Sequence, residues 1–372
     1  MHNPYVHSPV KPGATLDQID TPALCLDADA LEANIARAAD ICRRNAKQWR
    51  PHSKGHKSPA LARLQLDVGA IGVTCAKLGE AEVMAAHGIR DILIANQVVG
   101  PQKVRRLAML RRSADPIVAV DDVHHVAEIA DAARALGVEI RLLVEVDIGL
   151  ARAGCPSGQA TLDLAREIDG TAGVTLAGIM GYEGHLLTIE DVEEKRLAIE
   201  KAMAELVDNR DRILAADLPC PIVSAGGTGS FRYTVACPGI TELQAGGLVM
   251  MDVFYRQACQ VEDFQNALSL VTTVVSRPNT ERVIVDAGRK SHNVELRLPV
   301  VQGRDDLVAV RFSAEHGELK VVGGGTGPAI GERLCLVPGY SDLTNVLHDE
   351  FYVFRDGRLA DVWPLLGRGK IR

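Results

Sequence analysis

Lys54 and Lys57 stand in the run Arg50-Pro51-His52-Ser53-Lys54-Gly55-His56-Lys57, directly after a short apolar stretch that reads as a strand. A lysine where a strand ends is held rigidly and is open to partial desolvation. That lowers its pKa and turns its amine into a nucleophile toward carbonyl carbon. Charge runs are more often solvated surface, so the reading depends on what the chain sets opposite this one. Ser224-Ala225-Gly226-Gly227-Thr228-Gly229-Ser230 also ends an apolar run. Its glycines let backbone N–H groups converge on an anion, and Thr228 and Ser230 add hydroxyls. A nucleophilic amine and an anion cradle are the two anchors of a phosphorylated aldehyde, and Schiff-base chemistry with a cofactor such as pyridoxal phosphate is what they have in common.

Two further stretches end apolar runs. Glu145-Val146-Asp147-Ile148-Gly149-Leu150-Ala151-Arg152 offers Arg152 to the phenolate oxygen of such a cofactor. Gly181-Tyr182-Glu183-Gly184-His185 offers Tyr182 to its pyridine edge, where an uncharged partner leaves the ring nitrogen largely unprotonated. Arg152 reads equally well as a surface arginine, and Tyr182 as a cap on the core. His185 and His56 are acid–base candidates, although lone histidines are commonly structural.

These groups need a scaffold that brings strand ends together. Apolar runs at residues 23–26, 49–52, 70–75, 92–95, 117–120, 141–146, 176–180 and 222–225 alternate with helix-period segments at 30–44, 80–87, 124–136, 160–169 and 189–206. Continuous apolar runs are the mark of parallel strands buried on both faces, and their alternation with helices makes right-handed βαβ units. Eight such units over about 250 residues is the size of an α/β fold closed as a (β/α)8 TIM-type barrel. A doubly wound open sheet is the alternative. A ninth candidate strand at 242–251 leaves open which eight close. In a barrel, chemistry gathers at the carboxyl ends of the strands, and phosphate sites favour the loops after the seventh and eighth.

Beyond about Cys259 the pattern changes to β-like segments at 271–275, 282–286, 307–312, 334–337, 351–355 and 360–363, separated by glycine-rich turns. The expected layout is a cofactor-binding barrel at 15–260 and a C-terminal all-β domain at 261–372, with residues 1–14 packing on the latter.

The chain is 372 residues long with 24% charged residues and a net charge of -7. This composition suits a globular protein and gives no general attraction to nucleic acid or an anionic membrane. Any anion site must be a local construction. The basic run Lys103–Arg112 reads as the outer face of a helix. No segment has signal-peptide or membrane-spanning character. The eight cysteines are scattered without a C-x-x-C pair, which fits reduced thiols and a cytoplasmic location.

Lys54 in RPHSKGHK, EVDIGLARAG, GYEGH, SAGGTGS followed by TELQAGG, VDAG at 285–288 and the ending VWPLLGRGK together resemble one family. It is the pyridoxal phosphate-dependent group of D-threonine aldolases, D-3-hydroxyaspartate aldolases and D-serine dehydratases, which has the alanine racemase fold. The likeness runs from about Thr21 to Lys370. It implies that Lys54, rather than Lys57, bonds the cofactor, with Arg152 at its oxygen and Tyr182 at its ring. Gly226, Gly227 and Thr228 would hold the phosphate, and Ser224 and Gln244 are further cofactor-binding residues. It also implies a small D-amino acid substrate and a homodimer with shared active sites. The family carries a histidine and an aspartate or cysteine for a divalent ion (Mg²⁺, Mn²⁺ or Zn²⁺) after a Pro-Gly near the C-terminus. Here Pro338-Gly339 is followed by Tyr340-Ser341-Asp342, so Asp342 matches and Tyr340 replaces the histidine. A neutral phenol is a poorer ligand than imidazole. Tyr340 is a candidate acid–base group instead, and His348-Asp349 lies nearby.

The activity implied is retro-aldol cleavage of a D-β-hydroxy amino acid, of the D-threonine or D-3-hydroxyaspartate type, to glycine and an aldehyde. A D-serine or D-3-hydroxyaspartate dehydratase is one alternative, and a metal-independent racemase or epimerase is another. A single-barrel protein that binds the cofactor without catalysis is disfavoured by the β domain. Arg289, Lys290, His292 and Gln97 are candidates for a second substrate carboxylate.

Overall fold

Eight short parallel strands form one sheet: Gln48–Trp49, Val73–Cys75, Asp91–Ile94, Asp115–Val120, Ile140–Asp147, Val174–Met180, Ile222–Ala225 and Glu242–Leu243. The first strand pairs with the eighth, and neighbours follow in descending order down to the second. The ends of the sheet meet where His52 bridges Thr74; Ser53 N donates to Thr74 O at 2.7 Å, and Thr74 N donates to Pro51 O at 2.9 Å. Every strand thus finds two neighbours and no N–H edge is left open. These strands belong to a barrel unit of Ile35–Leu248, Gln257–Glu262 and Leu366–Arg372 in a computed structural model that describes residues 10–372.

Helices alternate with the strands, as their apolar periodicity predicts. Asp122 accepts from His124 N at the start of Val123–Ala135, and Asp191 accepts from Glu194 N at the start of Val192–Ala215, each satisfying a donor the helix cannot. Leu93, Ile117, Ala119, Leu143, Ala177 and Met180 pack together from four successive strands. Lys103–Arg112 lies largely on the helix Pro101–Leu110, where Arg106 pairs with Glu82. The helix Pro59–Asp67, only nine residues long, was not read from the sequence.

At the amino ends of the strands the barrel is held by charge. Arg50 is 2% exposed, and its Nε lies 3.0 Å from Glu242 Oε1 while Nη1 lies 2.7 Å from Asp91 Oδ1. Asp91 also receives Arg141 at 3.2 Å, and Arg141 reaches Asp115 Oδ2 at 2.7 Å. Arg50, the first residue of the cationic run, therefore serves the opposite face of the barrel from Lys54.

The other unit takes the described residues up to Asn34, with Val249–Arg256 and Asp263–Leu365. Its nine-stranded sheet runs Arg282–Val285, Gly317–Val321, Leu307–Phe312, Val300–Val301, Arg333–Val337, Leu268–Ser276, Ala23–Asp27, Glu350–Arg355, Arg358–Pro364. Arg282–Val285 also pairs with Leu268–Ser276, which closes the first six strands into a small antiparallel barrel.

Ala23–Leu26, expected as the first strand of the parallel barrel, is corrected by this pairing. It lies antiparallel to Leu268–Ser276 and parallel to Glu350–Arg355. A strand in the middle of either sheet is buried on both faces, so its apolar run could not tell the two apart. The eighth barrel strand is instead Glu242–Leu243, within the ninth candidate. Of residues 1–14, the first nine lie outside the described residues; Gly13 N donates to Leu359 O at 2.7 Å, and Leu359 N to Ala14 O at 2.8 Å.

Removing one partner of a buried ion pair leaves an uncompensated charge, at a cost of about 3–5 kcal/mol. Arg50→Leu leaves the buried Glu242 carboxylate without its guanidinium, so a loss of about 3 kcal/mol in urea unfolding is expected. An unchanged midpoint would show that the network does not hold the barrel.

Candidate active site

At the carboxyl ends of the barrel strands, one residue ties the two sequence motifs together. Gln244 O accepts from His52 N at 2.9 Å, two residues before Lys54. Gln244 N donates to Ala225 O at 3.1 Å, and its side-chain Nε2 donates to Ser224 Oγ at 2.9 Å. The lysine loop and the glycine loop are thus fixed through a single side chain and its own backbone. Two residues on, a Cβ at Gly246 would stand 2.1 Å from His52 O, so only glycine allows this approach.

Lys54 sits in a turn, half-buried, and its N–H donates to His52 Nδ1 at 3.3 Å. Desolvation, with the charges of Lys54 and Lys57, holds the His52 imidazole well below its ordinary range, consistent with a neutral ring that accepts. Lys57 is buried and its ammonium is paired with Glu80, whose other oxygen accepts from Ala76 N at 2.8 Å. Lys57 O also accepts from Gly367 N at 2.9 Å, so the segment after Leu366 is pinned onto the lysine loop. His56 is fully enclosed, and its Nδ1 accepts from Ser58 N at 3.2 Å. The structure therefore makes this acid–base candidate a part of the loop's framework.

In the glycine loop, Ser230 Oγ accepts from Gly227 N at 3.0 Å and donates to Gly227 O at 3.2 Å. Ser230 was expected to add a donor for an anion, but its hydroxyl is spent on the turn itself. Thr228 is buried, and a Cβ at Gly227 would lie 2.8 Å from Tyr182 Cε2. Tyr182 therefore rests flush on the loop. Arg152 Cζ lies 5.7 Å from the centre of the Tyr182 ring, and Arg152 Nη2 lies 3.6 Å from Glu145 Oε1. Burial raises the Glu145 pKa against the pull of Gln97 and Arg152. Gln97 Nε2 donates to the other Glu145 oxygen at 2.6 Å. Reading the sequence alone missed Glu145 as a site residue; the signal was a carboxylate between two buried valines, Val144 and Val146. His185 is exposed, beside Gly149.

The β unit holds its own polar cluster. Tyr340 Oη donates to Asp342 Oδ2 at 3.0 Å, and its ring meets Phe254 and Tyr255 edge-on at 5.5 and 6.0 Å. Asp252 accepts from Ser341 N at 2.8 Å, Ser341 Oγ at 2.7 Å and Tyr255 N at 2.8 Å. Burial pushes the Asp252 carboxyl up to about 7 against those bonds. His348 Nε2 faces Ser291 O at 2.8 Å and must carry its proton there, because a carbonyl can only accept. Burial, with His348 beside it, holds His292 down to about 4.

Beside Asp342 the donor set offers a phenol, a poorer ligand for a divalent ion than an imidazole. Among the described residues no three His, Cys, Asp or Glu side chains come together as a metal-holding group. Tyr340 Oη is turned onto one oxygen of Asp342, and His348 turns its Nε2–H onto Ser291 O. The four candidates for a second substrate carboxylate also separate. Lys290 pairs with Glu315 at 2.6 Å, Gln97 serves Glu145, and His292 is buried and uncharged, which leaves Arg289 exposed.

Residues 26–253 match the family described as alanine racemase, N-terminal domain, and residues 267–354 match a putative serine dehydratase domain. The chain is 37% identical to a D-threonine aldolase of Arthrobacter sp, across 97% of this chain and 96% of that one. It is 35% identical to a 3-hydroxy-D-aspartate aldolase of Paracoccus denitrificans, across 97% and 95%. The crystal structure of D-threonine aldolase from Filomicrobium marinum is similar with a TM-score of 0.95 at 34% identity, covering 98% of this chain and all of that one. No helix among the described residues is long and apolar enough to cross a membrane.

Calorimetric titration with Mn²⁺ is expected to give no stoichiometric binding to the unaltered protein, and Tyr340→His, which restores an imidazole beside Asp342, is expected to create it. One tightly bound equivalent in the unaltered protein would overturn this reading of the donors.

Proposed function

The chain belongs to the family that joins an alanine racemase N-terminal domain to a serine dehydratase domain, and we propose that it is a pyridoxal phosphate-dependent lyase. It cleaves a D-β-hydroxy amino acid to glycine and an aldehyde. The observation that carries this reading is the lysine loop and glycine loop locked together by Gln244, in a chain whose near full-length likeness is to aldolases of D-amino acids.

The residues fit the cofactor. A Cβ at Gly227 would fill the cradle against Tyr182, Lys54 stands half-buried in the turn two residues past His52, and Arg152 is a cation set over the Tyr182 ring. Lys54 would bond the cofactor, Ser224, Gly226, Gly227, Thr228 and Gln244 would hold its phosphate end, and Arg152 and Tyr182 would orient its ring. Pyridoxal phosphate, when bound, supplies a conjugated ring that draws electrons from the substrate's α-carbon.

The chain's own residues must then handle the proton of the β-hydroxyl. As that proton leaves, the Cβ–O bond becomes a carbonyl, the Cα–Cβ bond breaks, and its electron pair stays with Cα until a proton replaces it. The His185 imidazole and the Tyr340 hydroxyl, held by Asp342, are the proposed acceptors. The match to a serine dehydratase domain favours one second reading, loss of the hydroxyl and ammonia to give a 2-oxo acid. The working form proposed is a cytoplasmic homodimer.

With D-threonine, glycine and acetaldehyde are expected in equal amounts; a 2-oxo acid with ammonia would favour the dehydratase, and an inverted α-carbon a racemase. Borohydride reduction of the loaded protein should place the pyridoxyl group on Lys54 by mass spectrometry, and Lys54→Ala should abolish both label and turnover. Labelling of another lysine would sink the assignment. Turnover should survive a chelator, because Tyr340 stands where an imidazole would be the better metal ligand. Gly227→Ala should weaken cofactor retention about ten-fold, or about 1.4 kcal/mol, by equilibrium dialysis.

A further inference from the structure

Glu145 lies on a barrel strand whose neighbours on either side, Val144 and Val146, are buried and apolar, and it is itself only 4% exposed. Such a position calls for an apolar residue. Burying a carboxylate is costly, and its attraction to an exposed arginine recovers little of that cost. Arg152 is that arginine, with 58% of its side chain exposed. In terms of stability the pair is a poor bargain, and a local choice that opposes the fold marks a functional position.

The surrounding geometry shows what the carboxylate does. Gln97 Nε2 clamps one Glu145 oxygen at 2.6 Å, which turns the other toward Arg152 Nη2 at 3.6 Å. That separation is longer than a closed ion pair, so the guanidinium is attracted without being used up. The loop carrying Arg152 is set by Asp147 Oδ1, which accepts from Gly149 N and Ala151 N at 3.0 Å each. Ala151 adopts a left-handed φ of 54° next to the arginine. The Tyr182 ring, 5.7 Å from Arg152 Cζ, limits the arginine's swing on its other side.

We infer that Glu145, oriented by Gln97, is a positioning residue that holds Arg152 ready over Tyr182 for an anionic oxygen of the cofactor. The inference rests on the reading of this mouth as a pyridoxal phosphate site. Glu145 acts through Arg152 and touches neither substrate nor cofactor. When an anionic oxygen approaches, the guanidinium keeps donors to spare, because a guanidinium has five N–H groups and Glu145 engages one end.

Burial raises the Glu145 pKa, with Asp121 adding to it and Gln97 and Arg152 opposing. The folded state then holds that proton more strongly than the unfolded chain. Its stability contribution is therefore lost as pH rises through the glutamate range. A neutral amide at this position relieves that loss at neutral pH, and the relief fades below the ordinary value of 4.5.

The test compares Glu145→Gln and Glu145→Asp with the unaltered protein. Glu145→Gln should lower affinity for pyridoxal phosphate about ten-fold and shift the absorption band of the bound cofactor. Its thermal midpoint without cofactor at neutral pH should be unchanged or higher. Glu145→Asp, which keeps the charge, should recover part of the affinity. A fall in thermal midpoint matching the fall in affinity would make Glu145 merely structural and overturn the inference. So would unchanged affinity and spectrum in Glu145→Gln. If the unaltered protein itself bound no pyridoxal phosphate, the underlying reading would fail instead, and the two failures are told apart.

Discussion

A parallel barrel must pair its last strand with its first, and in this chain that closure also builds the site. His52 is bridged to Thr74 on one side, through the bonds of Pro51 O and Ser53 N, and its own N–H bonds Gln244 O on the other. It is the last residue with strand neighbours on both flanks, and Lys54 follows two residues later, just past the bond from Ser53 N to Thr74 O. The demand that backbone N–H and C=O groups be satisfied thus sets where the lysine leaves the sheet. The same Gln244 reaches Ser224 with its side chain, so the distance between the lysine loop and the glycine loop is a property of the sheet. Loops alone would not give that precision.

Charge is used differently at the two faces of the barrel. At the amino ends, Arg50, Glu242, Asp91, Arg141 and Asp115 form a network in which opposite charges lie within about hydrogen-bonding reach. At the carboxyl ends one pairing is looser and unequal, a buried Glu145 with an exposed Arg152. A closed network resists change; an open one leaves donors for a ligand. The cationic run that begins at Arg50 and includes Lys54 and Lys57 divides among three roles: a bottom anchor, the site lysine, and a buried tie to Glu80.

Much of this was legible in the sequence because periodicity reports burial directly. The parallel strands, the flanking helices and most strands of the β unit follow from apolar runs and turn residues. Ala23–Leu26 was assigned to the wrong sheet because central strands of both sheets carry the same pattern. Gly317–Val321 was missed because its burial alternates over only five residues. The glycine loop and the lysine loop were legible as chemistry, whereas Glu145 was not, and Gln97 was read only as a candidate for a substrate carboxylate, since their meaning lies in their contact with each other. Ser230 shows the opposite limit: a hydroxyl in an anion loop looks like a donor until its own turn consumes it.

The contact between Gly367 and Lys57 bears on how the molecule is made. The lysine loop is synthesised early, yet one of its backbone acceptors is met only by a residue that emerges near the end of this sequence, and Gly79 N likewise waits for Arg372 O. Between those events the chain builds most of the β unit and passes repeatedly from one unit to the other. Neither unit is a contiguous stretch that a ribosome could deliver finished, or that a single proteolytic cut could release. Contacts this distant in sequence are the slowest to form, so the loop bearing Lys54 is among the last parts of the barrel to be completed. A nascent chain would carry a nearly finished sheet well before it carried a finished lysine loop.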